Sequence, residues 1–375
     1  MTDLCRPSAP TGIGIIGCGN ISGIYFKNLH QRFVNTTVVA CADLDIDRAK
    51  ARAEEFGVAT ACTPDELLQR DDVKIVVNLT IPRAHHSVCL AALKAGKHTL
   101  VEKPLSVSKA QGQELVDTAT AKGLRVGAAP DTFMGGGIQT CRKLIDDGWI
   151  GTPVAASAFM LGHGHETWHP DPEFYYKAGG GPMFDMGPYY LTALVNLMGP
   201  IRRVTGSARI TFPERTVTSK PKFGTKITVD VPTHIAGVLD FQNGAIATLV
   251  TSFDVWSHKM PCIEIYGTEG SLSVPDPNGF GGEVLLRRAG QSDWRQIPLS
   301  HGFAENARGV GTADMAAAIL SGRQHRASGQ LANHVLEAMH GIHEAAASDT
   351  HYHMKTGGIQ PVALPMGLPE DALDV

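Results

Sequence analysis

Between Gly12 and about Gly151, short aliphatic runs alternate with segments whose apolar positions recur at helical spacing. Residues 13–16, 38–42, 75–79, 99–102 and 125–128 are predicted as strands, and residues 47–56, 64–69, 85–95 and 108–122 as the helices between them. Strands alternating with helices imply right-handed βαβ units and a parallel sheet. The strands are almost continuously apolar, as a sheet covered by helices on both faces requires. Thr63-Pro64-Asp65-Glu66 marks a helix start: Thr63 as N-cap, proline at the first helical position, and Glu66 completing a capping box.

After Ile150-Gly151-Thr152-Pro153 the period changes. Residues 154–160, 203–212, 227–241, 245–253, 262–266 and 284–288 alternate as half-buried strands do, and turn signals such as Gln242-Asn243-Gly244 separate them. This predicts an antiparallel sheet with hairpins. Helices are expected at about 186–197, 310–320 and 330–347, the last able to dock back on the first domain. The Pro/Gly-rich stretch 356–375 is read as loop. The chain therefore divides into residues 1–150 and 151–375, in keeping with two to three domains at roughly 150 residues each.

Composition narrows the class. The 33 basic and 37 acidic residues give a net charge of −4, without the basic footprint of a nucleic-acid binder. No apolar run reaches the ~18 residues of a membrane span, and the first residues carry no secretory pattern. Seven widely spaced cysteines without a CxxC pair read as reduced thiols of a cytoplasmic protein.

Chemistry enters at Gly17-Cys18-Gly19-Asn20-Ile21-Ser22-Gly23, between the first strand and a helix. Gly17 permits a tight turn, Gly19 lets a pyrophosphate approach the backbone, and the helix N-terminus offers free N–H groups. The third position of the fingerprint is Ser22 rather than glycine. At the end of the second strand, Asp43 is placed to accept hydrogen bonds from ribose hydroxyls and to repel a 2′-phosphate, which favours NAD; Arg48 nearby keeps NADP open. The alternative for Asp43, or for Asp45, is capping of the next helix.

With that turn upstream, Ile81-Pro82…His86…Ala95-Gly96-Lys97-His98 and Thr99-Leu100-Val101-Glu102-Lys103-Pro104-Leu105 resemble the Gfo/Idh/MocA family of sugar and polyol oxidoreductases. The resemblance extends to Gly311-Thr312-Ala313-Asp314 and the last helix. It implies an N-terminal Rossmann domain, a C-terminal α/β domain with an open, mainly antiparallel sheet, a carbohydrate substrate between them, and homodimers or homotetramers. It assigns cofactor contacts to Gly17, Gly19, Asn20, Ile21, Asp43, Thr80, Pro82, His86, Glu102 and Lys103.

The resemblance also places Lys103 at the substrate hydroxyl, where an ammonium stabilises a developing oxyanion. In Gly181-Pro182-Met183-Phe184-Asp185-Met186-Gly187-Pro188-Tyr189, Asp185 and Tyr189 share a face if helical. Pro188 then demands that the helix start at about Asp185. The family often has Asp-x-x-x-His here; this chain has Tyr189, read as general acid/base with Asp185 as substrate anchor. A phenol titrates near 10, so the assignment needs Lys103 beside it; otherwise Tyr189 only hydrogen-bonds the sugar.

Gly162-His163-Gly164-His165-Glu166-Thr167-Trp168-His169 lacks an established zinc spacing and is read as a substrate loop, with His165, Trp168 and His169 as candidates; the alternative is a surface loop or dimer contact. Asp131 either holds a sugar hydroxyl or caps a helix beginning near Gly137. The leading expectation is an NAD-dependent dehydrogenase of a sugar, polyol or glycoside. NADP-linked carbonyl reduction, transient oxidation by tightly held NAD in a glycosidase-like reaction, and a non-enzymatic NAD sensor are the alternatives.

Overall fold

Six parallel strands open the fold: β1 (Thr11–Ile16), β2 (Thr36–Ala42), β3 (Ala61–Cys62), β4 (Ile75–Asn78), β5 (His98–Val101) and β6 (Val126–Ala128). They come from a computed structural model describing residues 3–375. The strand order is β3-β2-β1-β4-β5-β6. The order reverses between β1 and β4, and ligands of such sheets bind outside the carboxyl ends at that crevice. Helices α1 (Ser22–Lys27), α2 (Ile46–Phe56), α3 (Pro64–Gln69), α4 (Pro82–Lys94) and α5 (Lys109–Ala121) connect the strands. Thr63 caps α3 through Glu66, and the full capping box forms. The two-residue β3 just before it was too short to announce itself by period.

Helix α6 (Gly136–Asp146) leads to the second sheet. Its strands are β7 (Pro153–Leu161), β8 (Ile201–Arg209), β11 (His234–Phe241), β12 (Ile246–Ser252), β13 (Ile263–Gly267), β14 (Gly270–Val274), β15 (Val284–Arg288), β16 (Arg295–Ile297) and β17 (Tyr352–His353). A separate hairpin pairs β9 (Glu214–Thr216) with β10 (Lys226–Thr228). The large sheet runs β16-β15-β14-β13-β7-β12-β11-β8-β17, and within it only β7 and β12 are parallel. The expected single strand over 227–241 is broken into β10 and β11. Pro232, lacking an N–H, lies in the break.

Helix α7 (Pro182–Met198) is nearly all buried against this sheet. It begins at Pro182, three residues before the expected start, so Pro188 lies inside the helix and not at its first turn. Pro188 has no N–H for the carbonyl of Phe184, and the helix tolerates that loss within a fully packed segment.

Helices α8 (Val310–Ser321) and α9 (Gly329–Ser348) follow, and α9 packs on α5 and β6 as well as on β8. The stretch 356–375 has little regular structure but is not a free loop. Leu364, Leu368, Ala372 and Leu373 are buried. Arg326 holds Asp374 through both guanidinium ends, Nη1 to Oδ1 at 2.9 Å and Nη2 to Oδ2 at 2.8 Å.

Candidate active site

The glycine turn sits where the strand order reverses. Gly17 has φ +102°, and a Cβ there would fall within 2.9 Å of the Leu79 and Thr80 backbone, so only glycine fits. A Cβ built on Gly19 would meet nothing within 4 Å, so the space before its backbone is open to a pyrophosphate. Ser22 explains its own departure from the fingerprint: its hydroxyl donates to the carbonyl of Gly19 at 2.7 Å and closes the turn. A cavity of about 500 Å³ lined by Cys18, Gly19, Asn20, Arg48, Ala51, Arg52 and Glu55 adjoins it. Ile21 lies exposed at the same turn.

Asp43 stands at the end of β2. Its Oδ2 accepts from Cys18 N at 2.8 Å and its Oδ1 from Asp45 N at 3.0 Å. The capping role belongs to Asp45, which accepts from Asp47 N. Arg48 lies 3.7 Å from Asp43 Oδ1.

The loops after β4 and β5 are locked together by a residue the sequence reading passed over. His85 is fully buried, with Nδ1 2.6 Å from Pro104 O and Nε2 3.0 Å from Thr80 O. Burial pushes this imidazole toward its neutral form, which donates to one carbonyl at a time. Thr80 donates through N and Oγ1 to Asn78 Oδ1, and Pro82 opens α4. His86 is paired with Glu114 of α5 at 2.8 Å. Glu102 accepts from Tyr25 Oη at 2.7 Å and from Lys103 N at 2.9 Å, another contact between distant segments without a sequence signal.

Lys103 reaches from the end of β5 to the first turn of α7. Its Nζ donates to the main-chain carbonyl of Asp185 at 2.6 Å and to Oδ1 at 2.9 Å. The other carboxylate oxygen lies 3.2 Å from His165 Nε2. Burial opposes both charges, but each is outweighed by its partner. Asp185, Tyr189 and Glu102 hold Lys103 above the usual ammonium range, while Lys103 and His165 hold Asp185 far below the usual carboxylate range.

Tyr189 is buried, with its ring centroid 5.3 Å from Lys103 Nζ. Burial pushes the phenol up, and the opposing pull of Lys103 and Arg308 does not overcome it. The expectation that Lys103 brings Tyr189 toward neutrality is therefore corrected: the net shift is upward. Arg308, in the loop before α8, carries no motif and was missed. It donates to Asn278 Oδ1 at 2.8 Å.

Asp131 is a second correction. It is buried, and Oδ2 accepts from Gly309 N at 2.8 Å and Gly311 N at 3.0 Å, so it caps α8. It does not cap α6, which starts without a side-chain cap. Burial raises its carboxyl to about 6.

The histidine loop splits. His165 meets Asp185 and stacks on Tyr175 at 3.8 Å. His169 Nδ1 accepts from Asp171 N at 3.0 Å, and Trp168 is largely exposed. Neither is brought to the Lys103–Asp185 pair. Glu166, absent from the candidate residues, is buried in a network with Arg215, Asp254 and Tyr176. Among the described residues no group of three or more His, Cys, Asp or Glu is arranged to hold a metal, and no helix is long and apolar enough to cross a membrane.

Comparison with known proteins agrees with this architecture. Residues 11–129 match the model of the oxidoreductase family with an NAD-binding Rossmann fold, and residues 138–273 match the GFO/IDH/MocA C-terminal domain. The chain is 27% identical to D-glucoside 3-dehydrogenase of Escherichia coli, over 66% of this chain and 71% of that protein. It is 26% identical to inositol 2-dehydrogenase 3 of Saccharopolyspora erythraea, over 76% and 79%. A structure of levoglucosan dehydrogenase with NADH and L-sorbose superposes with a TM-score of 0.78 at 21% identity, over 92% of this chain and 99% of that one. A turn that only glycine can make, an open approach to its backbone and a carboxylate at the end of β2 suit NAD. With both halves of the chain matched in sequence order, the protein belongs to the Gfo/Idh/MocA family of NAD(P)-dependent oxidoreductases.

Proposed function

We propose that the chain oxidises a secondary alcohol of a sugar, polyol or glycoside, with Lys103, Asp185 and Tyr189 handling the reacting hydroxyl. The observation that carries this reading is the Lys103–Asp185 pair, set at the carboxyl end of β5 on the same side of the sheet as the glycine turn. Two relatives named for ring-hydroxyl dehydrogenation support the substrate class. NAD, when bound by Gly17, Gly19, Asn20, Ile21 and Asp43, supplies the hydride acceptor.

The protein's own groups do the rest. Asp185 keeps Lys103 cationic, so the ammonium can hold the substrate oxygen as negative charge builds there. His165 steadies the second oxygen of Asp185. The Tyr189 phenolate accepts the alcohol proton as general base; because burial raises the phenol, the phenolate form grows as pH rises. Asp43 repels a 2′-phosphate and favours NAD over NADP. We further assign the chain to the cytoplasm, in keeping with its seven free cysteines, and to a homodimer or homotetramer.

The test is an NAD-coupled screen of hexoses, inositols and methyl glycosides with the wild type and Lys103→Met. NADH formation from one of these classes, lost in the variant, is expected. Full turnover by Lys103→Met would refute the assignment of Lys103. Nucleotide exchange without net NADH formation would favour internal redox with retained NAD.

A further inference from the structure

Beside the candidate active site lies a second cavity, of about 250 Å³, whose walls include His163, Glu166, Phe212, Arg215, Thr216 and Trp256. It shares the segment 162–170 with that site. His165 reaches Asp185, while His163, two residues earlier, lines the cavity. We propose that this cavity is a distal carbohydrate subsite that takes a second, uncharged sugar ring of a disaccharide or glycoside whose first ring is oxidised at Lys103.

Its chemistry is that of a sugar platform. The His163 ring stacks on the Trp256 indole with centroids 3.3 Å apart, and Phe212 stands edge-on to His163 at 6.2 Å. Trp256 is nevertheless 80% exposed. An aromatic face left to solvent beside polar groups suits a ring that is apolar on its face and polar at its edge.

The polar lining is pre-built. Arg215, with a side chain 4% exposed, donates to Glu166 Oε1 at 2.6 Å and to Asp254. Two carboxylates thus balance the one guanidinium, so the cavity does not select phosphate or carboxylate. Arg215 Nε and His163 Nδ1 are shielded from solvent and have no hydrogen-bond partner among the described residues. The volume lies below the roughly 300–1,000 Å³ of a whole small-ligand site, which suits one ring and not a complete substrate.

The proposal rests on the carbohydrate reading above, and binding separates the two. Calorimetry with glucose, methyl β-glucoside, cellobiose and maltose is run on the wild type, Trp256→Ala and Phe212→Ala. At least one disaccharide should bind ten or more times more tightly than its monosaccharide, and each variant should abolish that gain while leaving monosaccharide affinity within twofold. Equal affinity for one and two rings, or variants that weaken both alike, would overturn the subsite. Disaccharide binding with this pattern but no NADH formation would uphold the subsite and sink the dehydrogenase reading instead.

Discussion

Lys103 and Asp185 lie 82 residues apart in the chain and meet as an ion pair at 2.9 Å, with side chains 19% and 13% exposed. One comes from the parallel sheet and the other from the helix that lies on the mixed sheet. The pair therefore fastens the two halves at the point where the chemistry is proposed. Neither charge would persist alone at that depth.

Replacing Lys103 by methionine is expected to act twice. Loss of the ammonium at the reacting oxygen should lower kcat by about 100–1,000-fold. Loss of one partner leaves Asp185 with His165 only, at a cost on the order of 3 kcal/mol. Steady-state kinetics and urea unfolding read the two effects separately. Unchanged stability would mean that the pair is not formed in solution.

Tyr189→Phe tests the general base. Because burial raises the phenol, wild-type kcat for alcohol oxidation should climb as pH rises toward 10 and beyond. The variant should be slower by about 100-fold and lack that climb. A pH–rate profile between about 7 and 11 measures it. An identical slope in the variant would move the proton route to another group.

Asp131 predicts a pH-dependent stability term. Its folded carboxyl is raised to about 6, above the usual value of 3.8. Across that window the folded state binds more protons than the unfolded one, so this group's contribution falls as pH rises from about 4 to about 6. The loss is on the order of 3 kcal/mol for a shift of about two units. Asp131→Asn should remove that part of the slope, read as the difference between variant and wild-type stability at pH 4 and pH 7. Its KM should stay near the wild-type value, since Asp131 caps α8 rather than facing a substrate.

Asp43→Asn should weaken NAD binding about tenfold, the scale of one charged hydrogen bond. It should weaken NADP less, or strengthen it, because the repulsion of a 2′-phosphate disappears while Arg48 remains 3.7 Å away. Titration with both dinucleotides measures the ratio. An unchanged ratio would remove Asp43 from cofactor choice.

Much of this was legible along the chain. The parallel sheet followed from aliphatic runs alternating with helical periods, and Thr63-Pro64-Asp65-Glu66 formed the capping box it spelled out. β15 runs over Val284–Arg288, the residues whose alternation announced it. The reading failed where a local rule met packing. Pro188 was read as requiring the helix to start at about Asp185, but the helix begins at Pro182 and, nearly all buried, runs through Pro188. Asp131 was weighed as a substrate ligand or a cap for its own neighbourhood, and it caps a helix 178 residues further on.

Local signals were enough for the strands, the glycine turn, Lys103 and the family, because side-chain period, φ requirements and motif spacing are written within a few residues. Long-range folding settled the remainder. It set His165 on Asp185 and left Trp168 and His169 outside that pair, although all three stand in one loop. It brought Arg308 within reach of Tyr189 and buried the phenol enough to reverse its expected shift. Charge pairing and desolvation depend on distances between segments far apart in the chain, and those distances exist only once the two sheets have packed.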